Sequence, residues 1–508
     1  MDTLPEFEVV TSEACTLYVR AALTAPAKAQ KRVPLDVVAV VDTSGSMAGE
    51  RLNLTKITAQ FIVENLQPSD RLCLVTYASQ VTNYGPLAPV DSHSSGDFVK
   101  KIQSWSAGGG TALCSGLIEG LQVAEPTPNR VSAVLLLTDG HANNGPRTAS
   151  AIIKEAYPYL KKNQTAVYCF GYGTDHDANL LQSIASAGNG LYYFIQSSDD
   201  VGSTFGDCLG GLMSVACQKM QLTIEPLNGV TIKKVLGSKP PKTSQAKPST
   251  PQKDEAKKPP TEQKDKKEKK EKKEKKEVKE EKKEEKKEKE EKKEKKEEPK
   301  EKKPSKAVED LSPGKDTPQS IDLGDFYSEE KRDIVFHLHL PAIKESLASL
   351  ELAKVSLKYF NVISNSYEVI STKAVCERSI EAPKKQRDVE LDKQINRLTT
   401  AAAMEDAQKV GFEEAKKIIN DAINVLKNSV SADDPFTVGL IQDLEDIVVD
   451  MKDKSTYEQV AMKKMVWKGE AHKKQRAIGN AGSSYQNNTQ FEMKSKASSY
   501  QKKKMDKK

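Results

Sequence analysis

Five side chains in this sequence could act together as oxygen donors. Asp42-Thr43-Ser44-Gly45-Ser46 places one carboxylate and two hydroxyls, Asp42, Ser44 and Ser46, within five residues. Gly108-Gly109-Gly110-Thr111 adds the Thr111 hydroxyl behind three glycines, and Thr138-Asp139-Gly140 adds the Asp139 carboxylate. The set holds no thiol and no imidazole. Such hard-oxygen donors suit Mg²⁺ at about 2.1 Å better than Zn²⁺, with Mn²⁺ or Ca²⁺ as alternatives. Two carboxylates balance the ion's charge, while neutral hydroxyls leave it electrophilic. A carboxylate arriving from a partner protein's Asp or Glu could then displace water at an open position. The two serine hydroxyls converge only where the chain turns sharply, which Gly45 permits.

Other chemistry is poorly represented. Asp42, Ser44 and Asp139 lack a motif-placed His base. No Gly-x-x-x-x-Gly-Lys-Ser/Thr phosphate loop occurs, and Gly171-x-Gly173 lacks the rest of a dinucleotide fingerprint. The chain is therefore expected not to be an enzyme. Asp175-His176-Asp177 reads as the cap of a following helix. His337 and His339 share one face of a strand, read as a polar sheet face. His141 reads as a solvated rim residue.

The elements that must present the five donors alternate. Leu35-Asp36-Val37-Val38-Ala39-Val40-Val41 is a near-continuous apolar run, as expected of a parallel strand covered on both faces. Asp42 stands at its carboxyl end, and Asp139 at the end of the run Ser132–Leu137. Strand and helix patterns alternate from residue 34 to 215, which predicts a doubly wound α/β domain with a parallel sheet. Such sheets bind ligands beyond the carboxyl ends of their strands. Residues 7–25, 219–237 and 319–378 carry β pattern that has no place in that sheet. They are expected to form an antiparallel β-sandwich into which the α/β domain is inserted. Residues 384–474 read as a helical region and 477–508 as a disordered basic tail.

The charge is concentrated. Lys264–Lys303 holds 22 lysines and 16 acidic residues, a net +6 that equals the formal charge of the whole 508-residue chain. The remainder is close to neutral, so no nucleic-acid partner is expected. This low-complexity Lys/Glu insertion, residues 239–307, has no apolar seam for a coiled coil. It carries favourable i, i+4 pairs such as Glu268–Lys272 and reads as a solvated spacer. Residues 494–508 contain seven lysines and one aspartate, suited to weak contact with acidic surfaces. No apolar run approaches the roughly 20 residues that span a bilayer. The first ten residues lack a secretory pattern. The seven cysteines show no Cys-x-x-Cys pair, so a reduced, cytoplasmic protein is expected.

Asp42-Thr43-Ser44-Gly45-Ser46-Met47, Gly-Gly-Gly-Thr111 and Leu-Leu-Leu-Thr-Asp139-Gly, in this order, resemble the metal-ion-dependent adhesion site of von Willebrand factor A (vWA) domains. All five positions match. The resemblance implies direct ligation by Ser44, Ser46 and Thr111, with Asp42 and Asp139 often acting through water. The segments Asn65–Leu72, Phe170–Ala185 and Ile321–Pro341 further resemble intracellular vWA proteins, including the vWA part and accessory region of plant RING-type ubiquitin ligases. Those ligases carry an N-terminal RING with Cys and His clusters, which this chain lacks. The expectation is a Mg²⁺-dependent protein-interaction module or adaptor. The alternatives are a scaffold binding through its helical C-terminus and charged tract, or a non-catalytic subunit of a ubiquitin ligase assembly.

Overall fold

A computed structural model describes residues 1–26, 32–163 apart from 126 and 128, 165–237, 314–381, 386–476 and 481–505. The Lys/Glu insertion predicted over 239–307 lies outside the described residues.

The strand Leu35–Asp42 is buried at every position, as its unbroken apolar run requires. It pairs in parallel with Arg71–Tyr77 on one side and Val131–Thr138 on the other. Ala166–Tyr172 and Tyr192–Ile195 extend the sheet in parallel. The short strands Val81–Asn83 and Ala88–Pro89 pair antiparallel with Arg71–Tyr77. Side chains alternate along each strand, so each face has its own core. One face packs Val37, Ala39 and Val41 against Phe61 and Phe205. The other packs Val38 and Val40 against Leu117, Leu121 and Leu181. Helices on both faces complete the doubly wound architecture expected of the sequence.

Two further sheets form a sandwich around a third core. Asp2–Pro5, Cys15–Thr24, Lys331–Leu340 and Thr231–Val235 make one sheet. Gln319–Tyr327, Val215–Pro226, Leu347–Asn361 and Ser366–Ser379 make the other, with Val9–Thr11 added in parallel. Leu17, Val19, Ala21 and Leu23 point every second residue into this core against Leu222, Ile224, Val355 and Leu357. The α/β domain thus leaves the sandwich after Thr24 and rejoins it at Val215.

Val389–Ala407, Phe412–Lys427, Pro435–Asp450 and Met462–Lys474 are helices around a fourth core that includes Met404, Ile419, Leu440 and Leu444. Asp388 and Asp434 cap two of them through their side chains.

One expectation needs correction. Residues 488–505, assigned to a disordered tail, form the helix Asn488–Met505. It lies along the helix Ser198–Met213, where Gly202, Gly206 and Gly210 line one face. A Cβ at Gly206 would stand 2.5 Å from the Lys494 Cα, so only glycine admits the second backbone. Lys494 and Gln490 both reach the buried Asp207, at 3.2 and 3.0 Å. The anchoring groups are the glycine face, these polar pairs and a narrow stripe of Met493, Ala497 and Tyr500 against the vWA core, too sparse in a Lys- and Ser-rich segment to mark this helix.

Candidate functional site

The five candidate donors gather at the carboxyl end of the parallel sheet. Strand register puts Val41 opposite Leu137, so the chain leaves both strands at one level and delivers Asp42 and Asp139 side by side. Both carboxylates are buried. Asp42 Oδ1 accepts the Ser44 amide at 2.8 Å, and Oδ2 accepts the Thr138 hydroxyl at 2.7 Å. Burial pushes the Asp42 carboxyl up to about 6, against the lowering effect of those hydrogen bonds. The nearby Asp139 charge adds to the rise.

The hydroxyl loops are stapled to one another. Ser44 Oγ and Ser46 Oγ lie 3.2 Å apart, across the turn that Gly45 makes. The Gly45 amide donates to the Gly109 carbonyl at 3.1 Å, and the Gly108 amide to the Thr43 carbonyl at 2.9 Å. Gly109 adopts φ +77°, a region glycine enters freely, and its bare Cα clears the Ser79 hydroxyl.

Thr111 is buried and held by a residue the sequence did not single out. Asn143 Oδ1 accepts the Thr111 amide at 2.7 Å, and Asn143 Nδ2 donates to Thr111 Oγ1 at 3.4 Å. The amides of Asn143 and Asn144 both donate to the Thr111 carbonyl at 3.2 Å. Arg51 was also missed. Its Nη1 donates to Asp139 Oδ2 at 3.2 Å and to the Ser46 carbonyl at 3.3 Å. Asn143 and Arg51 fall outside the three motifs, and only the fold brings them to the site.

The donor set fits a divalent ion. Asp139 Oδ1 is buried without a hydrogen-bond partner, a costly state for a carboxylate oxygen. The hydroxyls of Ser44 and Ser46 stand in the adjoining loop. Among the described residues, no three or more His, Cys, Asp or Glu side chains gather as a metal-holding group. A site here would thus rest on two carboxylates and three hydroxyls. An ion held by these residues would supply a Lewis-acidic position for an incoming carboxylate.

Neighbouring titratable groups have structural roles. Asp177 caps the helix Ala178–Ala187 by accepting the Leu180 amide at 2.9 Å. His176 is buried, with Nδ1 2.6 Å from the Gly173 carbonyl and Nε2 against the Tyr192 hydroxyl. Burial pushes it down to about 4. His141 is exposed. The polar sheet face expected at His337 and His339 is instead covered: His337 stacks on Tyr18 at 4.2 Å and His339 is buried.

The fold is that of a von Willebrand factor type A domain, and residues 36–207 match that family's model. The curated relatives include the inter-alpha-trypsin inhibitor heavy chain H1 of Bos taurus, 29% identical over 209 residues. That match covers 38% of this chain and 22% of the relative. An uncharacterized protein of Synechocystis is 27% identical over 205 residues, covering 38% of this chain and 46% of that one. The chain thus spans less than half the length of these relatives. Two solved structures share the fold along nearly the whole chain. One, titled von Willebrand factor type A from Catenulispora acidiphila, has a TM-score of 0.58 at 14% identity and covers 91% of this chain and 96% of that one. The other, the ArnB paralog VWA2 from Sulfolobus acidocaldarius, has a TM-score of 0.52 at 13% identity and covers 92% and 96%.

Proposed function

We propose that this protein is a Mg²⁺-dependent protein-interaction module whose vWA site, Asp42, Ser44, Ser46, Thr111 and Asp139, captures a carboxylate from a partner's Asp or Glu. A vWA domain is a protein-interaction module in general, and the metal dependence is the specific step. The observation that carries it is the orphaned Asp139 Oδ1, buried beside a second carboxylate and the stapled serine loop. A buried carboxylate oxygen without a donor is stabilised by a cation. Mg²⁺ matches the hard-oxygen donors, with Mn²⁺ or Ca²⁺ as substitutes.

The reading places the protein in the cytosol. It is supported by seven cysteines that are all free, six of them buried. Among the described residues no helix is long and apolar enough to cross a membrane.

The test is affinity recovery of partners with full-length wild type, Asp42→Ala and Thr111→Ala, each with and without EDTA. We expect both substitutions and EDTA to remove the same partners, with Mg²⁺ restoring them to wild type only. Recovery that is indifferent to all three treatments would instead favour a scaffold that binds through other surfaces.

A further inference from the structure

Arg51 stands one residue into the helix Glu50–Asn65, directly after the loop that carries Ser44 and Ser46. Its guanidinium is divided between two acids. Nη1 donates to Asp139 Oδ2 at 3.2 Å, and Nη2 donates to Asp175 Oδ1 at 2.6 Å. Asp139 is fully buried, whereas the Asp175 side chain is 54% exposed and belongs to no donor set. The place is shaped for the arginine. Gly173 sits at φ +77°, and a Cβ there would fall 2.9 Å from Nη2 and 3.0 Å from Nε.

These contacts give Arg51 two berths of different kinds. At Asp139 it neutralises a buried carboxylate that would otherwise face only its own desolvation. A divalent ion engaging Asp139 would bring like charge against the guanidinium, and the repulsion is strong at short range in a partly buried setting. The shorter bond is the one to Asp175. The arginine can therefore yield Asp139 while it keeps its other partner.

We propose that Arg51 is a tethered cation that holds Asp139 when no metal is bound and lowers the site's affinity for divalent ions, with Asp175 as its alternative berth. The inference rests on the metal-site reading above. It makes metal loading an exchange of one cation for another. The metal-free protein stays stable, and occupancy responds to the free ion concentration.

The experiment is calorimetric titration of Mg²⁺ into full-length wild type, Arg51→Gln, Asp175→Asn and the double variant, with Tm measured in EDTA and in Mg²⁺. Arg51→Gln should bind Mg²⁺ roughly tenfold tighter, the scale of a like-charge contact relieved. Its Tm in EDTA should fall below wild type while its Mg²⁺-induced rise in Tm grows. Asp175→Asn should bind roughly tenfold weaker, because the whole guanidinium turns to Asp139. The double variant should bind as Arg51→Gln does, since Asp175 acts through the arginine. Equal or weaker binding by Arg51→Gln overturns the proposal and leaves the metal site standing, with Arg51 then a positioning residue for Asp139. So does an Asp175→Asn effect that persists in the double variant. Mg²⁺ uptake by neither wild type nor Arg51→Gln overturns the metal-site reading as well.

Discussion

At the residue scale, burial decides how each polar group behaves. Asp42 and Asp139 are both buried, but their surroundings differ. Asp42 receives two short hydrogen bonds and sits close to its folded partners Ser44 and Thr138. Asp139 has one cationic contact and one orphaned oxygen. His176 shows the same rule with opposite charge. It is held neutral by burial, with its folded pKa at about 4 against an ordinary 6.5. Because the folded pKa is depressed, the unfolded chain binds the extra proton first as pH falls. The stabilisation is thus complete above pH 6.5 and is lost as pH drops toward 4, amounting to about 3 kcal/mol. Urea denaturation across that window should show the loss, and His176→Gln should flatten the profile between those pH values. A slope unchanged by the substitution would assign the loss to other groups.

At the element scale, loops and helix faces do work that strands cannot. The serine loop and the glycine loop carry the hydroxyls and are tied by the Gly45–Gly109 and Gly108–Thr43 hydrogen bonds. Asn143 ties the third loop to Thr111. The C-terminal helix Asn488–Met505 binds the vWA helix Ser198–Met213 through backbone proximity at Gly202, Gly206 and Gly210. It also touches the helix Glu50–Asn65, where the Tyr500 hydroxyl donates to Glu64 at 2.9 Å. Gly206→Val should therefore force the two helices apart at a cost of about 1–3 kcal/mol. Calorimetry should record a lower Tm, and limited proteolysis should release a C-terminal fragment. Because Gly206 lies away from the donor loops, Mg²⁺ affinity should stay within twofold of wild type (a factor of two being about 0.4 kcal/mol). An unchanged Tm would show that the glycine face is not tightly packed.

At the scale of the whole molecule, the chain weaves one sandwich from three distant segments. The N-terminal strand Cys15–Thr24 pairs with Lys331–Leu340, on the far side of the entire vWA domain in sequence. A buried cluster ties the sandwich to the C-terminal region. Arg476 pairs with Glu330 at 3.0 Å and lies over the Tyr327 ring at 3.9 Å, and the Tyr327 hydroxyl meets that of Tyr168 in the vWA sheet at 3.0 Å. Removing residues 384–508 would take Arg476 from the buried Glu330, which keeps Arg332, and would leave Asp207 buried without Lys494, so truncation is a poor way to locate a binding surface. The long insertion is different. Ile232 and Lys315 exchange backbone hydrogen bonds of 2.8 and 2.9 Å, which closes the chain on itself across residues 232–315. Replacing residues 240–310 with a short Gly/Ser linker shortens the closed loop and should stabilise by about 1–2 kcal/mol. Differential scanning calorimetry should show an equal or higher Tm. A marked fall would mean that the insertion contributes to the core.

Much of the architecture was readable because it rests on local periodicity. A strand covered on both faces must be apolar throughout, and Leu35–Val41 is. A sandwich strand must alternate, and Leu17, Val19, Ala21 and Leu23 do. The candidate site was readable as residue types too, since Asp42, Ser44, Ser46, Thr111 and Asp139 lie in short motifs, and their use as metal ligands is the proposal above. Groups that act across the chain had no such signal. Arg51 is one charged residue in a helical stretch until folding sets it between Asp139 and Asp175. Asn143 is one polar loop residue until it meets Thr111. The helix Asn488–Met505 presents only the sparse apolar stripe Met493, Ala497 and Tyr500, and its place depends also on three glycines nearly 300 residues earlier. The sequence by itself determined the elements and the residue types of the candidate site, because both depend on neighbours along the chain. Tertiary structure alone decided which cation meets Asp139 and which helix covers the vWA domain, because those contacts form only between residues that folding brings together.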